Sequence, residues 1–150
     1  MITSNRSVIV LNGTSGHVTV EPEDEDRFIL SAQEAVRACR NHQRAGEVVR
    51  AFKQEFLVPL RAWCEAHQGQ VEGCYVPPPV GHLEVYVVGT SPRFDFALAG
   101  ELSGLELMLV DRGWRVGVMY LPNGPDEYLL GHFNPEGAIR VYGQPQPTQG

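Results

Sequence analysis

The chain has 150 residues, 43% of them hydrophobic and 20% charged, which suits one globular domain with its own core and excludes a fibrous or disordered protein. A net charge of −6 disfavours adhesion to nucleic-acid phosphates, which depends on clustered lysine and arginine. No apolar run reaches the roughly 20 residues of a membrane helix. Three cysteines, Cys39, Cys64 and Cys74, with no export signal, argue for free thiols in a cytoplasmic protein.

Residues 7–11 and 17–20 are β-rich and flank Asn12-Gly13-Thr14-Ser15-Gly16, where Asn and Gly supply turn geometry, so a hairpin opens the chain. Glu21-Pro22-Glu23-Asp24-Glu25-Asp26 crowds carboxylates together; their repulsion and hydration predict an exposed acidic linker that completes residues 1–30. Ser31-Ala32-Gln33-Glu34 is a capping box, in which hydroxyl and carboxylate satisfy each other's free backbone donors, and it starts a helical part over residues 31–68. Ala32, Ala35, Val36 and Cys39 recur at helical spacing, as do Val48, Val49, Phe52, Phe56, Leu60, Trp63 and Cys64. Pro59 lacks an N–H and collides with the preceding turn, which predicts a kink or restart; Gly69 is the stop.

The sheet part spans residues 71–142. Residues 71–76 form a strand ended by Pro77-Pro78-Pro79. Residues 82–88 alternate, with Leu83, Val85 and Val87 on one side and His82, Glu84 and Tyr86 on the other. Leu98, Leu102, Leu105 and Leu109 predict a helix over 97–112, capped by Asp95 or Ser103 and stopped by Gly113, although Gly100 and Gly104 weaken it. A strand over 114–121 makes this a strand–helix–strand crossover with parallel neighbours. Residues 128–133 and 138–142 flank Asn134-Pro135-Glu136-Gly137, a type I turn signature, and predict a closing hairpin before a disordered tail over 143–150. The expected fold is α+β: a single domain over 1–142 with a mixed β-sheet of four to six strands. Its N-terminal helices pack on one face, and it contains the crossover and a C-terminal hairpin. That packing requires Leu83, Val85 and Val87 to face the helix bearing Trp63.

Val87-Val88-Gly89-Thr90-Ser91-Pro92-Arg93-Phe94-Asp95-Phe96, followed by a leucine-rich helix, Gly113-Trp114 and a strand ending at Pro122, resembles a pattern in small uncharacterised bacterial α+β proteins. The resemblance spans residues 31–122. It implies a bacterial protein and the strand–helix–strand order, and it brings no known activity.

Three groups of residues carry candidate chemistry. Cys39-Arg-Asn-His42 and Cys64-Glu-Ala-His67 each place a thiol and an imidazole one helical turn apart. Side by side they would offer zinc two sulfur and two nitrogen ligands, or a histidine-activated thiolate. The plainer explanation of each is a core cysteine and a histidine at a helix end. The second group is a binding surface of His82, Glu84, Tyr86, Arg115 and Arg140 on the outward sheet face, whose plain alternative is a solvated face with cross-strand pairs. The third is a row of Arg37, Arg40, Arg44, Arg50, Lys53 and Arg61. Glu34, Glu47, Glu55 and Glu65 interleave it, so it reads as a solvated, paired face over which the acidic linker could fold.

The sequence lacks a G-x-S-x-G elbow, a Gly-Lys phosphate loop, a G-x-G-x-x-G and an H-E-x-x-H. Catalysis needs oriented groups of tuned pKa, and none stands at recognisable spacing. The sequence therefore points to a non-catalytic protein-interaction or regulatory domain with no catalytic residue and no cofactor. Its expected partner is another protein, a second copy of the chain included, with no membrane partner and nucleic acid disfavoured. The alternative is a small metal-binding protein or enzyme using Cys39, His42, Cys64 and His67.

Overall fold

The computed structural model describes residues 8–13, 16–37, 48–79 and 82–143. Its strands are β1 Ile9–Asn12, β2 Thr19–Val20, β3 Val71–Val76, β4 Leu83–Gly89, β5 Val116–Leu121 and β6 Ile139–Gly143. They form one six-stranded mixed sheet in the order β2-β1-β6-β3-β4-β5. The β1–β6 and β4–β5 pairs are parallel, and β1–β2, β3–β6 and β3–β4 are antiparallel. The chain is α+β, as its patterning predicts.

The crossover from β4 to β5 is helix α4, Phe96–Asp111, as the leucine spacing predicts. Asp95 caps it, its carboxylate accepting from the Leu98 N–H at 3.0 Å. At the other end Gly113 takes φ +99°. The Gly113 N–H reaches the Val110 carbonyl and the Trp114 N–H reaches the Leu109 carbonyl. These two bonds form a Schellman stop, which needs the left-handed conformation glycine adopts without a Cβ penalty.

The acidic segment is not a linker. Residues Pro22–Asp24 form a 3-10 turn that leads directly into α1, Glu25–Arg37, so Ser31 and Glu34 lie inside a helix rather than at its cap. Asp24 is fully buried. Its carboxylate accepts from the Val10 N–H at 2.7 Å and from Arg27 at 3.1 Å. The Val10 carbonyl in turn accepts from the Glu21 N–H. Residues 21–24 thus stand in for a strand partner beside β1 just beyond β2. The remaining acids crowd the positive end of the α1 dipole, where negative charge is favoured.

Pro59 sits in the first turn of a helix that restarts at Val58, as its missing N–H predicts. Helices α2, Val48–Ala51, and α3, Val58–Ala66, are joined by a six-residue π-helical stretch, Phe52–Leu57. There the Val58 N–H bonds the Lys53 carbonyl, five residues back. The widened turn gives the proline ring the room an α-helical turn denies it.

One face of the sheet carries α1, α2, α3 and α4. Leu83, Val85 and Val87 are buried there in one core with Leu60, Leu102 and Leu109, and Trp63 packs against it. Phe28, Phe52, Phe56 and Trp114 form an aromatic centre, with Phe56 and Trp114 rings 5.1 Å apart. The predicted closing hairpin is absent. Residues Asp126–Leu130 form a short helix, α5, followed by a 3-10 turn at Pro135–Gly137. The last strand, β6, then inserts between β1 and β3 rather than pairing with residues 128–133. The apolar residues of that stretch serve the second sheet face: Leu129 and Phe133, four apart, cover Tyr86, Val88 and Leu121. Of the predicted tail, residues 143–150, Gly143 is the last residue of β6 and 144–150 lie outside the described residues.

Candidate functional site

Strand alternation sends His82, Glu84 and Tyr86 to the face opposite Leu83, Val85 and Val87. Register extends the row: Arg140 pairs with Tyr75, Tyr75 with Tyr86, and Tyr86 with Met119. Arg115 precedes Val116, the partner of Leu83, and so sits beside His82 on the same face. The five predicted residues therefore share a face but not a point. Arg140 and Arg115 are on strands three spacings apart, roughly 14 Å.

That face is not the open surface the sequence predicts. The Phe133 ring stacks on Tyr86 at 4.6 Å and meets Tyr75 at 5.3 Å, which leaves Tyr86 only 7% exposed. His82 and Glu84 stay accessible at the margin, Arg115 is exposed, and the half-buried Arg140 lies along Gly143. The margin forms a cleft of about 200 Å³ lined by Pro77, Pro78, Pro79, His82, Glu84, Phe133 and Asn134. Of its lining residues, Glu84 accepts through Oε1 from the Tyr86 hydroxyl at 3.1 Å, and His82 Nε2 lies 3.6 Å from Glu84 Oε2. Burial, then the bond to Glu84 and its negative charge, push the Tyr86 phenol above its ordinary pKa, so it remains a neutral donor. A carboxylate steadied by a phenol beside an apolar wall can receive a cation or a hydrogen-bond donor. The cleft contains no serine or cysteine nucleophile among its lining residues.

The cysteine and histidine of the second metal-ligand pair do different jobs. Cys64 is fully buried, and its partner is Cys74 of β3. Burial, with the bond to Cys64 and its charge behind it, pushes the Cys74 thiol well above its ordinary pKa. His67 stacks on Trp63 with ring centres 3.9 Å apart. Its Nδ1 lies 2.8 Å from the Trp63 carbonyl and its Nε2 2.5 Å from Glu101 Oε1 on α4. Both nitrogens are thus engaged by oxygen atoms of Trp63 and Glu101. Cys39 and His42 lie outside the described residues. Among the described residues no group of three or more His, Cys, Asp or Glu side chains is placed to hold a metal. In the basic row Arg61 pairs with Glu65 at 3.4 Å, as its spacing predicts, while Arg40 and Arg44 lie outside the described residues.

A further unassigned surface lies on α4. Leu98, Leu102, Leu105 and Leu109 fill its inner face. Phe96, Gly100, Ser103, Leu107 and Val110, spaced by four and three, fall on the outer face. Phe96 is 81% exposed, Leu107 64% and Val110 45%. Phe94, 51% exposed, packs its ring on Phe96 at 4.8 Å and on Tyr120 at 4.9 Å. The leucine spacing marks only the inner face. The overlooked signal was that α4 is apolar all round, the mark of a helix covered on both sides. Among the described residues no helix is long and apolar enough to cross a membrane.

No protein-family model, curated protein or solved structure matches the chain. A fold by itself does not supply a function, so the chemistry of these surfaces has to.

Proposed function

We propose that this protein is a non-catalytic interaction domain that docks another polypeptide on the outer face of α4. The supporting observation is that Phe94, Phe96, Leu107 and Val110 are all exposed along the outer side of α4, with the small residues Gly100 and Ser103 between its two apolar ends, while the inner side is well packed. Scattered single apolar residues on a surface are ordinary, whereas a contiguous patch marks an interaction site. The only acids within α4 are Glu101, Glu106 and Asp111. Glu101 reaches His67, and Glu106 accepts from the Val118 N–H at 2.8 Å. Glu106 so occupies a backbone donor of the edge strand β5, which favours side-chain docking on the helix over strand addition at that edge.

A photo-crosslinking side chain placed at Leu107 tests this in the producing cells. The reading expects discrete adducts that disappear when Phe96→Asp is added. Absence of adducts, or the same adducts from a control probe at the exposed Gln54, would overturn it.

A further inference from the structure

We infer that the polypeptide on the α4 face is a second copy of this chain, packed helix against helix in antiparallel fashion about a two-fold axis near Ser103. The inference rests on the docking role proposed for that face and adds the identity of the partner.

The stripe is complementary to its own reverse. With Ser103 near the axis, the two ends exchange: Phe96 of one copy meets Val110 of the other, and Leu107 comes over Gly100. Gly100 and Gly104 supply the receiving notch, since a Cβ built at either one meets no heavy atom within 4 Å. A large side chain opposite a glycine allows close helix approach, with ridges seated in grooves. A parallel pair would instead set Leu107 against Leu107 and leave the notches empty.

Charge selects the same arrangement. Arg93 stands at the N-terminal end of the stripe and Asp111 at its C-terminal end, both exposed. Neither has an ion-pair partner among the described residues. Antiparallel packing brings each Arg93 toward the other copy's Asp111 and aligns the helix dipoles favourably.

The area is sufficient for a reversible dimer. Aromatic side chains present about 150–250 Å² when fully exposed, and leucine and valine fall near or below the lower end. At the observed exposures, Phe94, Phe96, Leu107 and Val110 offer roughly 450 Å² per copy. Ala97, Gly100, Ser103, Gly104 and the flanking charges bring the total for two copies to about 1,200 Å², the low end of specific interfaces. An interface at this low end fits a monomer and dimer in exchange.

Sedimentation equilibrium over a range of protein concentrations tests the inference. The expected result is a monomer–dimer equilibrium that Leu107→Glu weakens at least tenfold. Gly100→Leu weakens it similarly by filling the notch, while the single chain, with open space there, melts no lower than wild type. Arg93→Glu and Asp111→Arg each weaken association, and combining them restores it, a rescue that only antiparallel packing yields. A monomer at every concentration overturns the inference, and so does a dimer indifferent to Leu107→Glu and Gly100→Leu. If the chain is monomeric yet the Leu107 probe still traps a different protein, the self-association inference fails while the docking role stands.

Discussion

Asp24→Ala is the substitution with the largest consequence relative to what sequence patterning expects. Asp24 is buried, and its carboxylate accepts from the Val10 N–H at 2.7 Å and from Arg27 at 3.1 Å. A hydrogen bond to a charged acceptor contributes about 1.5–3 kcal/mol. The Arg27 pair adds less than about 1 kcal/mol, because the Arg27 side chain is substantially solvated. Truncation also strands the Val10 N–H beside a vacated site, so a total loss near 3 kcal/mol is expected. Asp24→Asn keeps an acceptor oxygen and loses the charge, which places it between wild type and alanine. Asp26→Ala and Glu25→Ala remove equally acidic but exposed neighbours and stay within about 0.5 kcal/mol. Urea denaturation at neutral pH, with fitted midpoints at constant slope, measures all four. Equal midpoints for Asp24→Ala and Asp26→Ala would refute the view that one carboxylate fastens the acidic turn to β1.

Three further outcomes follow from the geometry. Gly113→Ala forces a Cβ into the φ +99° Schellman position and lowers stability by about 1 kcal/mol or more, read as a thermal midpoint several degrees lower by circular dichroism. Tyr86→Phe removes the donor to Glu84 but keeps the stack on Phe133, costing about 0.5–1 kcal/mol near neutrality in urea titrations. Alkaline unfolding should distinguish Tyr86 and Cys74, whose folded pKa values are both raised. As pH rises past their ordinary values, about 8.5 for cysteine and 10 for tyrosine, the unfolded chain loses protons that the folded chain keeps. Stability is then fully present below those values and falls above them. Cys74→Ala should flatten the earlier part of the decline and Tyr86→Phe the later part; unchanged slopes would count against both assignments.

The elements that were legible in the sequence are those fixed by local chemistry. Alternation through Leu83, Val85 and Val87 marks β4, and the Asp95 cap with the Gly113 stop brackets α4 to within a residue. The failures share a cause in contacts distant along the chain. Nothing near Asp24 announces that the Val10 N–H, 14 residues earlier, will receive its carboxylate, so a run of acids reads as solvated. Residues 128–133 suit a strand by composition, but Leu129 and Phe133 are used four apart, on a helix and the turn after it, to roof Tyr86. β6 pairs with β1 on one side and β3 on the other, strands far from it in the chain, rather than with the segment before the turn that precedes it. At the candidate site, alternation assigned His82, Glu84 and Tyr86 to the correct face, but a strand pattern carries no record of what packs on top.

Side-chain NMR of the methyl groups tests the α4 surface most directly. As protein concentration rises, the account predicts shifts at Leu107 and Val110 while Leu102 and Leu109, on the buried side of the same helix, hold still. Motionless Leu107 and Val110 resonances, or changes centred on the cleft at His82 instead, would contradict it.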